Sequence, residues 1–194
     1  MTEAGARRGL DWFRYQDLPF YTLTFARNMS PVELLTRMGV DADTLALRDD
    51  DEFFDAFGED LYDDEEPVVE SGMHGVWACA WERGGEHGLD DGILRRVSLG
   101  TESAVIHHNE KPMDWFKYAV DSEVVVDFDT LQAIEPAGTD PAALDGIMRP
   151  LGLVPGDVAP THGVLALVEA LGAGMPQAED PGRRWSGRLL PLTR

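Results

Sequence analysis

Cysteine is scarce in this 194-residue chain, and so are long apolar runs. The single cysteine, Cys79, can form neither an intrachain disulfide nor an all-cysteine zinc cage, so we expect a reducing, cytoplasmic location. The most apolar helical stretch, Gly163 to Met175, is about thirteen residues long, short of the roughly 20 that a membrane span needs. No apolar run follows Arg7 and Arg8, as a secretory signal would require. We therefore expect neither export nor membrane association.

Motifs for nucleotide, calcium and serine-hydrolase chemistry are also lacking. The glycines form neither GxGxxG nor GxxxxGK[ST], no GxSxG elbow is present, and the acidic stretches lack the EF-hand spacing. The sequence therefore predicts no cofactor, singles out no catalytic residue, and favours a non-enzymatic role.

Basic residues are the third deficit, with 16 Lys and Arg against 36 Asp and Glu, a formal charge of −20. Such a charge repels phosphate backbones, so we expect no binding to nucleic acid. Two interpretations remain open. The charge serves solubility, or it steers association with a basic protein partner.

Periodicity predicts an α+β fold with a single antiparallel sheet of about five or six strands and helices mainly on one side. The clearest helix signal is Ser30 as cap, Pro31 at the first position, Glu33 three residues after the cap, and Gly39 at the end. Strands are predicted at 20–26, 68–71, 75–82, 101–108, 115–120 and 123–128. Further helices are predicted around 90–98, over 140–151 with Asp140 as cap, and over 161–171.

Composition divides the chain into three parts. Residues 1–19 are predicted to be an N-terminal arm, and residues 176–194 an irregular C-terminal tail. Between them, residues 20–175 are predicted to form a single α+β domain with an acidic insert at 49–66.

The acidic insert carries eleven acidic residues and no lysine or arginine. Phe53, Phe57 and Leu61 recur every four residues, which predicts amphipathic turns that bury this stripe. Off the stripe lie Phe54 and Tyr62, predicted as partner-binding anchors. The carboxylates predicted to steer the partner are Asp63, Asp64, Glu65 and Glu66.

Two other groups of residues carry chemistry. Cys79 lies in mid-strand between two tryptophans and is predicted to be a small core residue. His107 and His108 are neighbours at a strand end and should point to opposite faces, so we predict no metal site. The alternative to partner binding is a small-molecule or enzymatic pocket between the sheet and the C-terminal helices, lined by Trp77, Trp81, His107 and Trp115.

The order of FYTLTFARNMSPVELLTRMG, GVWACAWE, the paired strands that end in VVVDFDT, and GTDPAALDGIMRPLGL resembles an uncharacterised family of small actinobacterial proteins. The resemblance covers roughly residues 21–171. It implies a bacterial cytoplasmic origin and one domain, and it implies no activity.

These features together favour an acidic interaction protein, of the immunity or inhibitor type, that binds a basic toxin or enzyme. No sequence feature specifies an oligomeric state.

Overall fold

The computed structural model describes residues 10, 13, 18–59, 61, 67–111, 113–176 and 182–192. Within this part of the chain, eight strands form one antiparallel sheet in the order β2-β8-β3-β4-β1-β5-β6-β7. The strands are β1 (Tyr21–Arg27), β2 (Ala46–Arg48), β3 (Val68–His74), β4 (Trp77–Glu82), β5 (Glu102–Asn109), β6 (Met113–Val120), β7 (Glu123–Asp129) and β8 (Arg184–Arg188). The predicted α+β class with an antiparallel sheet is confirmed, but the predicted five or six strands are too few.

Five α-helices and two 3-10 turns accompany the sheet in the described residues. They are α1 (Pro31–Met38), α2 (Asp50–Phe57), α3 (Asp91–Val97), α4 (Asp145–Met148) and α5 (Gly163–Ala170), with 3-10 turns at His87–Leu89 and Arg149–Leu151. The predicted caps of α1 are confirmed, because the Ser30 side chain accepts from the Glu33 N–H and Gly39 ends the helix at φ +96°.

The centre of the sheet is β1, which pairs with β4 and β5. Leu23 and Phe25 point to one face, which we call the front face, and Thr24 and Ala26 point to the other, the back face. All residues of β1 except Arg27 are buried. Both faces of the central strands are therefore covered.

Helices cover both faces, which corrects the prediction of helices mainly on one side. On the back face, α1 and α3 pack through Leu35, Met38 and Ile93 against the small residues of β4. On the front face, Val164 and Leu167 of α5 join the largest apolar cluster. The reason is that the central strands are apolar at both alternating sets of positions, and each set requires its own cover.

Strand β8 lies inside the segment predicted to be an irregular tail, and that prediction is wrong for these five residues. It inserts between β2 and β3, with Glu70 opposite Ser186 and Leu47 opposite Trp185. Its sequence, RWSGR, has only one large apolar side chain. Its conformation is set by pairing with strands more than a hundred residues away.

The helix predicted over residues 140–151 is shorter in the structure. Residues 141–144 form turns, α4 begins at Asp145, and a 3-10 turn follows at Arg149–Leu151. Pro150 has no N–H to donate to the Gly146 carbonyl, so the α-helical hydrogen bonds end before it, although Arg149 itself keeps helical angles, φ −58° and ψ −44°.

The predicted hairpin between β6 and β7 is confirmed. Asp121 and Ser122 both adopt positive φ, +46° and +69°. That pair of left-handed residues matches the twist of the flanking strands in a two-residue turn.

Candidate functional site

Helix α2 presents the densest acidic surface of the described chain. It begins with a capping box, in which Asp49 Oδ1 accepts from the Glu52 N–H at 2.9 Å and Glu52 Oε2 accepts from the Asp49 N–H at 3.1 Å. The stripe predicted to be buried is buried, since Phe53, Phe57 and Leu61 form one cluster with Val68. The helix therefore lies with a fixed face toward solvent.

That outward surface, which we call the acidic face, consists of Asp51, Phe54 and Asp55. Phe54 is 51% exposed and both aspartates are exposed. No described residue forms an ion pair with Asp51 or Asp55. Their neighbours Asp50 and Glu52 differ, because arginines of the β8 segment pair with them. The acidic face thus joins an exposed aromatic ring to uncompensated charge.

Of the residues predicted to bind a partner, Phe54 lies in the described part of the chain, and it is exposed as an anchor must be. The others lie outside the described residues: Tyr62, Asp63, Asp64, Glu65 and Glu66.

The structure does not bring the predicted pocket together. Trp77 and Trp81 project from β4 onto the front face, whereas His107 and Trp115, whose rings lie 5.6 Å apart, project from β5 and β6 onto the back face. The sheet itself separates the two pairs, so the four side chains cannot line one pocket.

A different cavity lies on the front face, between α2 and the segment that follows α5. It has a volume of about 180 Å³. We call it the arginine cleft, and it is lined by Asp50, Phe53, Phe54, Glu70, Ser71, Gly72, Cys79, Trp81, Arg83, Met175, Pro176 and Arg184.

The polar end of the arginine cleft is a network of four charged side chains. Glu70 is 5% exposed, and its Oε2 accepts from Arg83 Nε at 3.0 Å and Nη2 at 2.7 Å. Arg184 Nη1 lies 3.5 Å from Glu70 Oε1 and 3.0 Å from Asp50 Oδ1. The buried carboxylate is therefore neutralised by Arg83, which directs two N–H groups to one carboxylate oxygen, and by Arg184 beside it.

The rest of the cleft is aromatic and aliphatic. The Arg83 guanidinium lies 4.0 Å from the centre of the Trp81 ring, and 5.6 Å from that of Phe53. Pro176 closes one side by packing against Gly72, where a Cβ would come within 2.7 Å of its ring. A side chain at position 72 would displace this wall.

Cys79 lines the same cleft, but its thiol is unsuited to nucleophilic chemistry. Burial raises the pKa of Cys79 to about 12, and Sγ donates to the Gly72 carbonyl at 3.5 Å. The thiolate needed for attack is therefore not populated at neutral pH. Cys79 is a core residue, as the sequence predicts.

The back face holds a second polar group, centred on Glu82. This carboxylate is fully buried and accepts from the backbone N–H groups of His87 and Gly88 at 2.8 and 2.9 Å. Burial raises the pKa of Glu82 to about 7, although the two N–H groups favour the charged form. Beside it, Thr22 Oγ1 donates to the Gly85 carbonyl and contacts His107 Nδ1 at 2.9 Å. Glu82 thus anchors the 83–89 loop on the sheet.

His107 and His108 point to opposite faces, as predicted. His108 Nδ1 lies 2.7 Å from Asp114 Oδ1, and its ring stacks on Tyr21. Among the described residues, no three His, Cys, Asp or Glu side chains come together in a group that could hold a metal ion.

The residues that the sequence analysis missed are the charged members of the arginine cleft, Glu70, Arg83 and Arg184. Glu70 lies in a strand with otherwise apolar and small neighbours, which was an available sign of a buried ion pair. Arg184 gave no such sign, because its strand was not predicted.

Fold and site together define an α+β protein with a covered antiparallel sheet, a neutralised cleft and an acidic helix. The chain belongs to a family of unknown function, DUF6461, whose model matches residues 8–174. No curated protein and no solved structure matches it. Within the described residues, none of the helices has the length and apolar character needed to cross a membrane.

Proposed function

We propose that this protein is an acidic interaction protein, of the immunity or inhibitor type, whose acidic face binds a basic toxin or enzyme. The observation that carries the proposal is the half-exposed ring of Phe54 between Asp51 and Asp55, two carboxylates without a described ion-pair partner. Aromatic anchors supply much of the affinity of protein interfaces, and surrounding charge sets the rate and the choice of partner.

The charge of the whole chain supports the same proposal. A formal charge of −20 creates a field that draws basic proteins from a distance and repels acidic ones. The acidic face then provides the short-range contacts. We place the protein in the cytoplasm of a bacterial cell, where proteins commonly have no disulfides, as this chain with its single cysteine has none within it.

The test begins with affinity capture from the native host, with the full chain and its Phe54→Ala variant as paired baits. A basic protein retained by the first and lost by the second is the candidate partner. Because Phe54 is half exposed, its truncation should leave the fold intact and raise the dissociation rate by about tenfold.

Kinetics with that partner separate steering from anchoring. We expect Asp51→Asn with Asp55→Asn to slow association by roughly threefold at low salt and to leave dissociation nearly unchanged. The matched control is the double variant Glu123→Gln with Asp140→Asn. It also removes two negative charges, at exposed residues outside α2. Equal slowing in both double variants would show that net charge acts without the acidic face, and the proposed surface would be wrong.

A further inference from the structure

The arginine cleft differs in charge from the rest of the molecule. Its lining has two acidic side chains, Asp50 and Glu70, and two basic ones, Arg83 and Arg184. The chain as a whole has 36 acidic residues against 16 basic ones. The cleft is therefore locally neutral, and an anion in it escapes most of the short-range repulsion that it meets elsewhere on the surface.

Both arginines retain hydrogen-bond donors that no described residue uses. A guanidinium has five N–H groups in one plane. Arg83 directs Nε and Nη2 to Glu70 and leaves Nη1, while Arg184 directs Nη1 to Asp50 and Glu70 and leaves Nε and Nη2. Both side chains line the cleft and are 19% and 22% exposed, so each is partly accessible to a small ligand.

The remaining walls fit a flat apolar group. The aromatic surface is provided by Phe53, Phe54 and Trp81, and the aliphatic surface by Met175 and Pro176. The cleft volume of about 180 Å³ is close to that of a cavity of roughly 150 Å³ that holds benzene. One ring with a short substituent therefore matches the cleft in size.

From these observations we propose that the arginine cleft binds a small aromatic carboxylate. Its ring lies against Trp81, Phe54 and Met175, and its carboxylate accepts from the unused N–H groups of Arg83 and Arg184. A cation of the same size should bind less well, because the unused polar groups of the two arginines are donors, whereas Asp50 and Glu70 already accept from them. The cleft and the acidic face share Phe54, but the two surfaces select ligands of opposite charge.

The experiment titrates the full chain with benzoate and follows methionine methyl groups by NMR, with Met175 assigned through Met175→Leu. Benzylammonium and acetate are titrated in parallel. We expect benzoate to shift the Met175 methyl with a dissociation constant in the millimolar range, at least about tenfold tighter than either comparison compound. No shift of this methyl, or equal binding of benzylammonium, overturns the proposal.

Neighbouring arginines provide a matched pair of variants. Arg184→Gln removes donors from the cleft, and Glu70 keeps both hydrogen bonds from Arg83. Arg183→Gln makes the same charge change at a half-exposed residue that pairs with Glu52 and does not line the cleft. We expect Arg184→Gln to weaken benzoate binding about tenfold and Arg183→Gln to leave it within about twofold.

Equal weakening by the two variants overturns the proposed site. If Arg184→Gln does not fold, the Met175 methyl in the unaltered chain decides the question alone. Failure here leaves the acidic-face proposal standing, because that proposal concerns a protein partner and rests on the exposure of Phe54 with Asp51 and Asp55, not on benzoate binding.

Discussion

Glu82 is the residue whose environment departs furthest from that of a surface carboxylate. It lies at the end of β4 with no exposed area, and two backbone N–H groups meet its oxygens. Burial raises the pKa from 4.5 to about 7. The folded chain therefore binds this proton more tightly than the unfolded chain.

Linkage gives the sign of the consequence. The stabilising contribution of protonated Glu82 is complete below about pH 4.5 and is lost as the pH rises through about 7. The shift corresponds to about 3 kcal/mol across this window. Burial lowers the pKa of His87 and His107, so their titration makes the free energy of unfolding rise with pH, opposite to the effect of Glu82. Their effect is removed by comparing variants that share both histidines.

We therefore predict that Glu82→Gln flattens the pH profile of stability. Between about pH 5 and pH 8, the free energy of unfolding of the unaltered chain should fall by up to about 3 kcal/mol more than that of the variant. Urea denaturation at each pH measures it. Glu123→Gln, the same change at an exposed position, should keep the original slope, and a slope unchanged in Glu82→Gln would contradict the assigned burial.

At the residue scale, the sequence predicts side-chain directions that depend on alternation within one strand. It misses contacts that depend on the register between strands. Cys79 as a core residue and the opposite directions of His107 and His108 follow from alternation along single strands. The pocket of Trp77, Trp81, His107 and Trp115 requires knowing that Thr22, not Tyr21, lies opposite His107. A shift of one residue moves a side chain to the other face, and nothing local specifies that shift.

At the scale of elements, α2 depends on its cap more than longer helices do. It has eight residues, and its buried side is two phenylalanines. Isolated helices of this length are unstable in water, so the capping box and the packing of Phe53 and Phe57 must hold it.

We predict that Asp49→Ala lowers the free energy of unfolding by about 1 kcal/mol. Asp49→Asn removes the same charge and keeps an oxygen that accepts from the Glu52 N–H, so it should cost only a few tenths of a kcal/mol. Thermal and urea unfolding of both variants give the difference. If the two variants were equally stable, the charge of Asp49 and not its cap would be the relevant feature.

Elements are predictable where their causes are local. Helix α1 is predicted by Ser30, Pro31 and Gly39 within ten residues of sequence, and the β6–β7 turn by Asp121 and Ser122. Strands β2 and β8 have no such markers, because each is short and is held by pairing across the chain. The helix predicted from Asp140 begins only at Asp145, and Pro150 accounts for its early end but not for its late start.

At the scale of the whole molecule, the charge of −20 opposes the compact state, since folding brings like charges closer together. The described ion pairs offset part of this repulsion. They concentrate around α2, β3 and β8, where Asp50, Glu52 and Glu70 meet arginines. Asp51 and Asp55 of the acidic face have no such partner among the described residues, and acidic residues outnumber basic ones by 36 to 16 in the chain, so repulsion should dominate the response to ionic strength.

Added salt should therefore stabilise the protein. Between about 0.02 M and 0.5 M NaCl, the Debye length falls from roughly 20 Å to roughly 4 Å, which screens repulsion between distant surface charges. Ion pairs are weakened too, but exposed pairs contribute only about 0.2–1 kcal/mol each, and Glu70 with Arg83 is shielded by burial. We expect the free energy of unfolding to rise by about 1 kcal/mol or more, most steeply at the low end of the range.

KCl should act identically, since screening depends on ionic strength and not on the cation. The neutralising double variant Asp51→Asn with Asp55→Asn should show a smaller rise, because it begins with less repulsion. A fall in the free energy of unfolding with added salt would mean that ion pairs outweigh repulsion. The excess negative charge would then not destabilise the fold, and partner binding would have no such cost to offset.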